Sequence, residues 1–277
     1  MMKISPQSFQ MNCSASFKKN AYKFCKQDFY IKLPGYGKDS RWAEKIVQTA
    51  EEAEMLIRRG WSFENVLKKI SIGVSEANKI PLDLARREHT GILRTDRDGW
   101  KSESSWKGLP LITKYGKKFG NKKYNAYEAR LDACIESPIR SVHQDVALTR
   151  PEVFAGVKQI RHGDSKNING SFRLLSKLHS FVLKQYLSKD LNENDLKVIN
   201  NAIAQIRWIL AHTTPWERGS DSISNVYMKA MYKALGIKTY PPARGVSFDL
   251  EAFCTNLSDY RKNFYMYFEK KPEKFVQ

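Results

Sequence analysis

From Asn192 to Leu210 the chain reads NENDLKVINNAIAQIRWIL, and Leu196, Ile199, Ile203, Ile206 and Leu210 recur at alternating steps of three and four. That spacing draws one apolar stripe along an α-helix and suits no strand, whose faces alternate with every residue. Such a helix must bury its stripe against other elements. Two further segments repeat the pattern. Ser171 to Leu187 sets Phe172, Leu175, Leu178, Val182 and Tyr186 on one side. Ser222 to Leu235 sets Ile223, Val226, Ala230 and Ala234 inward, with Gly236 placed as a left-handed C-terminal cap. Nearer the start, Trp42, Ile46, Ala53 and Ile57 share a face over Arg41 to Arg59, where Gly60 stops the helix. Ser62 then stands as N-cap of a second helix with Val66, Leu67 and Ile70 inward. A third segment reaches about Arg87, interrupted by Gly73 and Pro81, and a last helix is expected from about Asp249 to Phe268. The expected fold class is mostly α.

Two regions break this pattern. Residues 1–38 are polar, basic and aperiodic and are read as a mobile leader that could carry a secretion signal. Residues 89–165 are rich in Gly, Lys, Ser and aromatics, with short apolar runs such as LPLIT and YNAYEARLDACI. They are read as short strands and loops, a smaller mixed α/β lobe inserted within a domain spanning 39–277.

The 277 residues, 42% apolar, suffice for a sizeable core in one domain or two lobes. No apolar run approaches the ~18 residues of a transmembrane helix. The N-terminus lacks the apolar stretch of a secretory signal peptide, and it begins Met-Met, so it carries no N-myristoylation site as written. Four scattered cysteines and five scattered histidines suggest a reducing compartment, with neither a disulfide framework nor a metal site. A net charge of +18 favours anionic partners: nucleic acid, acidic lipid or phosphorylated ligands. The densest basic block interleaves Lys114, Lys117, Lys118, Lys122 and Lys123 with Tyr115, Phe119 and Tyr124, a pattern that suits a single-stranded backbone or a solvated hairpin.

The stretch HTTPWERGSDSISN, from His212 to Asn225, joins two of the strong helices. Arg218 there offers a planar fork that matches phosphate, Gly219 lets a ligand approach the backbone, and the helix that follows begins with partnerless N–H groups. Together they make an anion site. The alternative is that Ser220, Asp221 or Ser222 simply caps that helix while Arg218 covers the carbonyl end of the preceding one. The loop PPARGVSFD adds Arg244, Gly245 and Asp249. Asp249 is either the N-cap of the last helix or a carboxylate aimed at a sugar hydroxyl or acting as a base. At the entrance to the helix near Ser171, Asn167, Asn169 and Ser171 form a second polar lip.

These residues carry a family resemblance. Pro215, Arg218, Gly219 and Ser220 follow a long helix with Trp208 near its end, and the next helix ends in Gly236-Ile237. Pro241, Pro242, Arg244 and Gly245 come next, then Asp249. The block resembles the C-terminal part of the AvrB avirulence effectors, with weaker similarity in NGSFRLLSKLHSF, WAEKIVQTAEEAEMLIRRGWSFENV and LPLITKY. The resemblance covers roughly half the chain. It implies a two-lobed member of the Fic/Doc/AvrB (Fido) superfold with a nucleotide-type ligand between the lobes. Arg218 and Asp249 match the family's key Arg and Asp, and Tyr115 matches a cleft tyrosine. Trp42 stands for a ligand-packing tyrosine, and Asn169 and Ser171 match the polar helix entrance. Leu109 and Asn167 replace a family threonine and histidine. The family's myristoylation glycine has no counterpart here.

Against the Fic pattern His-Pro-Phe-x-Asp/Glu-Gly-Asn-Gly-Arg, the chain has TPWERGSDS: Thr214 replaces the histidine, Arg218 the metal-binding acid and Ser222 the final arginine. A hydroxyl cannot do an imidazole's proton work near neutral pH, and an arginine cannot bind magnesium. What the resemblance implies is therefore a metal-independent glycosyltransferase effector, delivered by type III secretion from a bacterium into the host cytoplasm. It would move a deoxysugar such as rhamnose from a nucleotide diphosphate sugar to Ser or Thr of a host signalling or immune-regulatory protein. No permanently bound cofactor and no metal are expected. The same chain could instead be a non-enzymatic nucleotide- or peptide-binding effector, or a basic nucleic-acid or lipid-surface module. Nucleic acid is the less favoured partner, peripheral membrane contact through the basic surface is open, and a monomer is expected.

Overall fold

The computed structural model describes residues 22–30, 39–80, 89–95, 103–105, 127–140, 143, 146 and 148–275, the backbone alone at 103–105. In order these form α1 (Ser40–Arg58), α2 (Phe63–Asn78), β1 (Glu103–Ser105), α3 (Tyr127–Glu136), β2 (Arg150–Phe154), β3 (Val157–Arg161), α4 (Ile168–Tyr186), α5 (Glu193–Thr213), α6 (Ser220–Ala234), β4 (Ile237–Lys238), α7 (Phe248–Phe253), α8 (Leu257–Asn263) and β5 (Glu273–Lys274). The chain is mostly helical, with a helical main lobe and a small mixed lobe.

At the centre lie α5 and α6. The expected stripe of α5 is buried at Ile199, Ile203, Ile206 and Leu210, and from Ala202 to Thr213 almost every neighbour is buried too. Helices α1 and α2 pack on α6, while α4, α7 and α8 pack on α5. Local chemistry sets the boundaries. The Ser62 side chain accepts from the Asn65 N–H, Gly60 takes φ +74 after α1, and Asn192 with Asp195 forms a capping box at the start of α5. Gly236 takes φ +74 after α6, as its position implied.

The small lobe holds an antiparallel sheet of order β1-β3-β2, with β2 and β3 joined through Ala155 and Gly156, both at positive φ. YNAYEARLDACI, expected as strand and loop, instead contributes helix α3. Its buried residues Tyr127, Leu131 and Cys134 fall at helical steps of four and three, a signal too short to read in the sequence. The expected last helix is broken. Asn256 accepts from the Asp259 N–H and starts α8 afresh, and the Trp208 indole N–H takes the Thr255 carbonyl at 2.9 Å. Within the stretch read as a mobile leader, residues 22–30 are packed. Phe24 and Phe29 are buried in the core, Tyr22 donates to Asp28 at 2.8 Å, and the Phe24 N–H reaches Glu51 on α1 at 3.0 Å. The leader reading therefore does not extend to them. LPLIT, Leu109, Tyr115, the basic block and residues 81–88 lie outside the described residues. Among the described residues no helix is long and apolar enough to cross a membrane.

Candidate active site

The loop between α5 and α6 begins and ends on left-handed residues. Thr214 at φ 42 closes α5, and Gly219 at φ 85 opens α6 as its N-cap. Glycine is needed at 219 twice over: L side chains rarely adopt that φ, and a Cβ there would stand 3.0 Å from Thr90 Cγ2. The cap expected at Ser220, Asp221 or Ser222 is not one, because all three lie inside the first turn. Gly219 has no side chain to cap the helix, and among the described residues no side-chain cap bond is made there. Ser220 is spent within the loop instead: its hydroxyl accepts from the Trp216 N–H at 3.1 Å and donates to the Trp216 carbonyl at 3.0 Å.

Residues 89–94 run beside this loop. The Arg94 N–H donates to Pro215 O at 2.9 Å, Glu217 N–H to Ile92 O at 2.9 Å, and Gly91 N–H to Arg218 O at 3.2 Å. His89 Nδ1 and Glu217 lie 2.6 Å apart. The buried Arg94 guanidinium donates to Thr214 O at 2.6 Å, Thr213 O at 3.0 Å and Gly163 O at 2.6 Å. Arg94, not Arg218, thus covers the carbonyl end of α5, where its charge also suits the helix dipole. Arg218 is exposed. Trp42 joins this wall indirectly. Its indole donates to Asn78 at 2.8 Å, and Asn78 donates to Thr90 at 3.3 Å.

Asp249 is not the cap of its helix; that place belongs to Ser247, with Asp249 inside the first turn of α7. Its carboxylate accepts from Arg207 Nη1 at 2.6 Å. Nη2 of Arg207 reaches Asp221, Nε reaches Asn225 at 3.3 Å, and Asn225 in turn donates to Asp221 at 3.1 Å. The Phe248 ring lies 5.6 Å beneath the guanidinium. Arg207 is 1% exposed, whereas Asp221 and Asp249 keep 27% and 20% of their side-chain surface, so the cation is sealed and the two carboxylates are mostly buried with a narrow opening to solvent. Burial works against the Arg207 charge, but Asp249 and Asp221 outweigh it and hold its pKa above the ordinary arginine value. Burial, then the neighbouring Asp249 carboxylate, pushes Asp221 up to about 7. With two carboxylates on one guanidinium, one shared proton leaves the cluster neutral.

His212, two residues before Thr214, is closed off. Its ring is fully buried with Nδ1 2.9 Å from Thr149 O and Nε2 3.0 Å from Ala252 O, and burial lowers its pKa to about 4. The Thr214 hydroxyl donates to Ala211 O at 2.8 Å.

At the second polar lip, the helix starts three residues early, at Ile168, behind a short 3-10 turn. Asn167 makes no side-chain cap bond, Asn169 is exposed and Ser171 is fully buried. Ser171 therefore lies in the interior rather than on an open lip. The lip still borders the loop, because the Phe172 and Trp216 rings lie 6.4 Å apart. The structure thus gathers Trp42, Arg218, Gly219 and Ser220 on the wall built with residues 89–94, and brings Asp249 to the first turn of α6 through Arg207. Sequence reasoning missed Arg207 and Arg94, and gave Asp221 only as a cap candidate. The first had a signal: an arginine in the apolar run AIAQIRWILA must find carboxylates if buried. Among the described residues, no group of three or more His, Cys, Asp or Glu is placed to hold a metal ion.

The model of the AvrB/AvrC avirulence protein family matches residues 128–271, just over half the chain, a span that holds Arg207, Arg218, Asp221 and Asp249. No curated protein matches.

Proposed function

The chain belongs to the AvrB/AvrC avirulence protein family, and from that premise we propose that it is an effector delivered by type III secretion into host cells, where it acts as a metal-independent glycosyltransferase. The donor in this reading is a nucleotide diphosphate sugar, a deoxysugar such as rhamnose. The acceptor is a Ser or Thr of a host regulatory protein. The observation that carries it is Arg218: an exposed arginine directly before a helix whose N-cap, Gly219, has no side chain to offer its first N–H groups. Such a place suits a diphosphate, which would receive the planar fork of the arginine and the N–H groups of α6 together.

In the transfer, the bond between the anomeric carbon and the diphosphate oxygen breaks and its electron pair leaves with the diphosphate. Arg218 and the helix N–H groups meet the charge that develops there. Asp249, held by Arg207, faces the sugar. The closed environment of His212 and the internal bond of Thr214 speak against the imidazole chemistry of AMP transfer, since neither group is placed to take a proton from an acceptor.

The test is intact mass of candidate host proteins after incubation with this protein and a panel of nucleotide sugars, with and without Mg²⁺. A deoxysugar mass increment that needs no Mg²⁺ supports the reading, and a strict Mg²⁺ requirement points to a Fic-like site. Nucleotide sugar binding with no product on any acceptor supports the binding-effector alternative.

A further inference from the structure

Three helices converge on Arg207. It rises from α5, Asp221 and Asn225 come from α6, and Asp249 comes from α7. Arg207 spends each arm of its fork on a different partner, so it fixes the two aspartates side by side from beneath. Tyr260 of α8 also lies against the cluster, with its hydroxyl turned away to Phe248 O at 3.3 Å. Among the described residues, the groups facing Asp221 are therefore Arg207, Asn225 and Asp249, with Tyr260 behind the arginine. The two carboxylates differ. Asp249 takes one guanidinium nitrogen at 2.6 Å, whereas Asp221 also accepts from Asn225 at 3.1 Å and has the more exposed side chain, 27% against 20%.

Resting on the transferase reading of this site, we propose that Asp221 takes the acceptor proton, with Asp249 as its carboxylate partner and Arg207 as the positioning residue that holds both. In the step, the acceptor oxygen forms a bond to the anomeric carbon as the bond from that carbon to the diphosphate oxygen breaks. The electron pair leaves on the diphosphate, and the acceptor proton passes to a carboxylate oxygen of Asp221. No oxidant or further reactant is needed. Asp221 is suited to the work because burial and the adjacent Asp249 charge hold its proton affinity near the working pH, where a general base is most effective. Asp249, on the other arm of the same guanidinium, completes the carboxylate pair.

Carboxyl carbon NMR of the full chain, labelled at aspartate and titrated through the neutral range, reads the pair without any variant. The expected result is an Asp221 signal titrating near 7. In Asp249→Asn that midpoint moves down toward the ordinary carboxylate range, because the like charge is gone. An Asp221 signal titrating with ordinary aspartates, or Asp249 carrying the neutral transition, overturns the assignment. In the transfer assay, Asp221→Asn is expected to lower turnover by ~100-fold or more and to remove the fall in wild-type rate below neutral pH, with nucleoside diphosphate affinity kept. An Asp221→Asn protein as fast as the wild type overturns the proposal alone. A wild type that transfers no sugar at all overturns the transferase reading and this role with it, while the titration still decides whether the pair shares a proton.

Discussion

Arg130 and Glu251 form a two-pronged ion pair, Nη1 to Oε1 at 3.0 Å and Nη2 to Oε2 at 2.8 Å, that ties helix α3 of the small lobe to helix α7 of the main lobe. Tyr127 donates to the same carboxylate at 2.7 Å, and the Tyr127 oxygen accepts the Ser247 N–H at 3.0 Å. Glu251 is 1% exposed, and Asp249 lies two residues before it. The joint between the lobes thus also steadies the short helix that presents a site carboxylate.

Glu251→Gln keeps the shape and removes the charge of the buried partner, leaving the half-buried Arg130 facing a neutral amide. The expected loss is about 3–5 kcal/mol in urea unfolding. A loss below 1 kcal/mol would show that the pair does not hold the lobes together.

Two arginines eleven positions apart should behave oppositely. Arg207→Ala strips a sealed cation from two carboxylates and should cost about 3–5 kcal/mol of stability. Arg218→Ala, at an exposed position, should shift stability by about 0.5 kcal/mol or less. It should instead weaken nucleoside diphosphate binding, which in the wild type at ~100 times the dissociation constant adds about 2.7 kcal/mol without Mg²⁺. Thermal melts with and without ligand separate the two outcomes.

Gly219→Ala forces an L residue to φ 85 and sets its Cβ 3.0 Å from Thr90 Cγ2. The left-handed conformation alone costs about 1–2 kcal/mol. Gly156→Ala has nothing within 4 Å of its Cβ, so it carries only the φ penalty and serves as the control. Equal melting temperatures for the two variants would mean that the Thr90 contact yields freely.

The dependence of stability on pH combines opposite signs. Burial lowers His162 and His212 to about 4, so between about 4 and 6.5 the unfolded chain binds more protons there and stability rises with pH. Asp221, raised to about 7, binds its proton in the folded state over about 4 to 7, so its contribution falls as pH rises. The two histidines outnumber the aspartate, and the urea midpoint should climb from pH 4.5 to 6.5. Asp221→Asn should make that climb steeper, and His212→Phe should flatten it.

Much of the main lobe was legible because its helices announce themselves by spacing and caps: Ser62, Gly60 and Gly236 all stand at the boundaries they implied. What was not legible depends on partners distant in sequence. Asp249 reads equally as a cap or as a site carboxylate, because an aspartate at a helix start serves either way. Only the fold brings Arg207, 42 positions earlier, beneath it. Arg94 and the carbonyl of Thr214 are 120 residues apart, and no local pattern links them. Helix α3 was misread because ten residues offer too few turns to separate a helical from a strand period.

The run of residues 89–94 along the Arg218 loop has a thermodynamic consequence. The backbone of Pro215, Glu217 and Arg218 is already held before any ligand arrives, by bonds from a distant part of the chain. A loop that must order itself on binding spends part of its interaction energy on lost freedom, whereas this one has lost it on folding. A diphosphate meeting Arg218 therefore encounters a preformed wall, and on this side of the site recognition should carry little entropic cost and little change of shape.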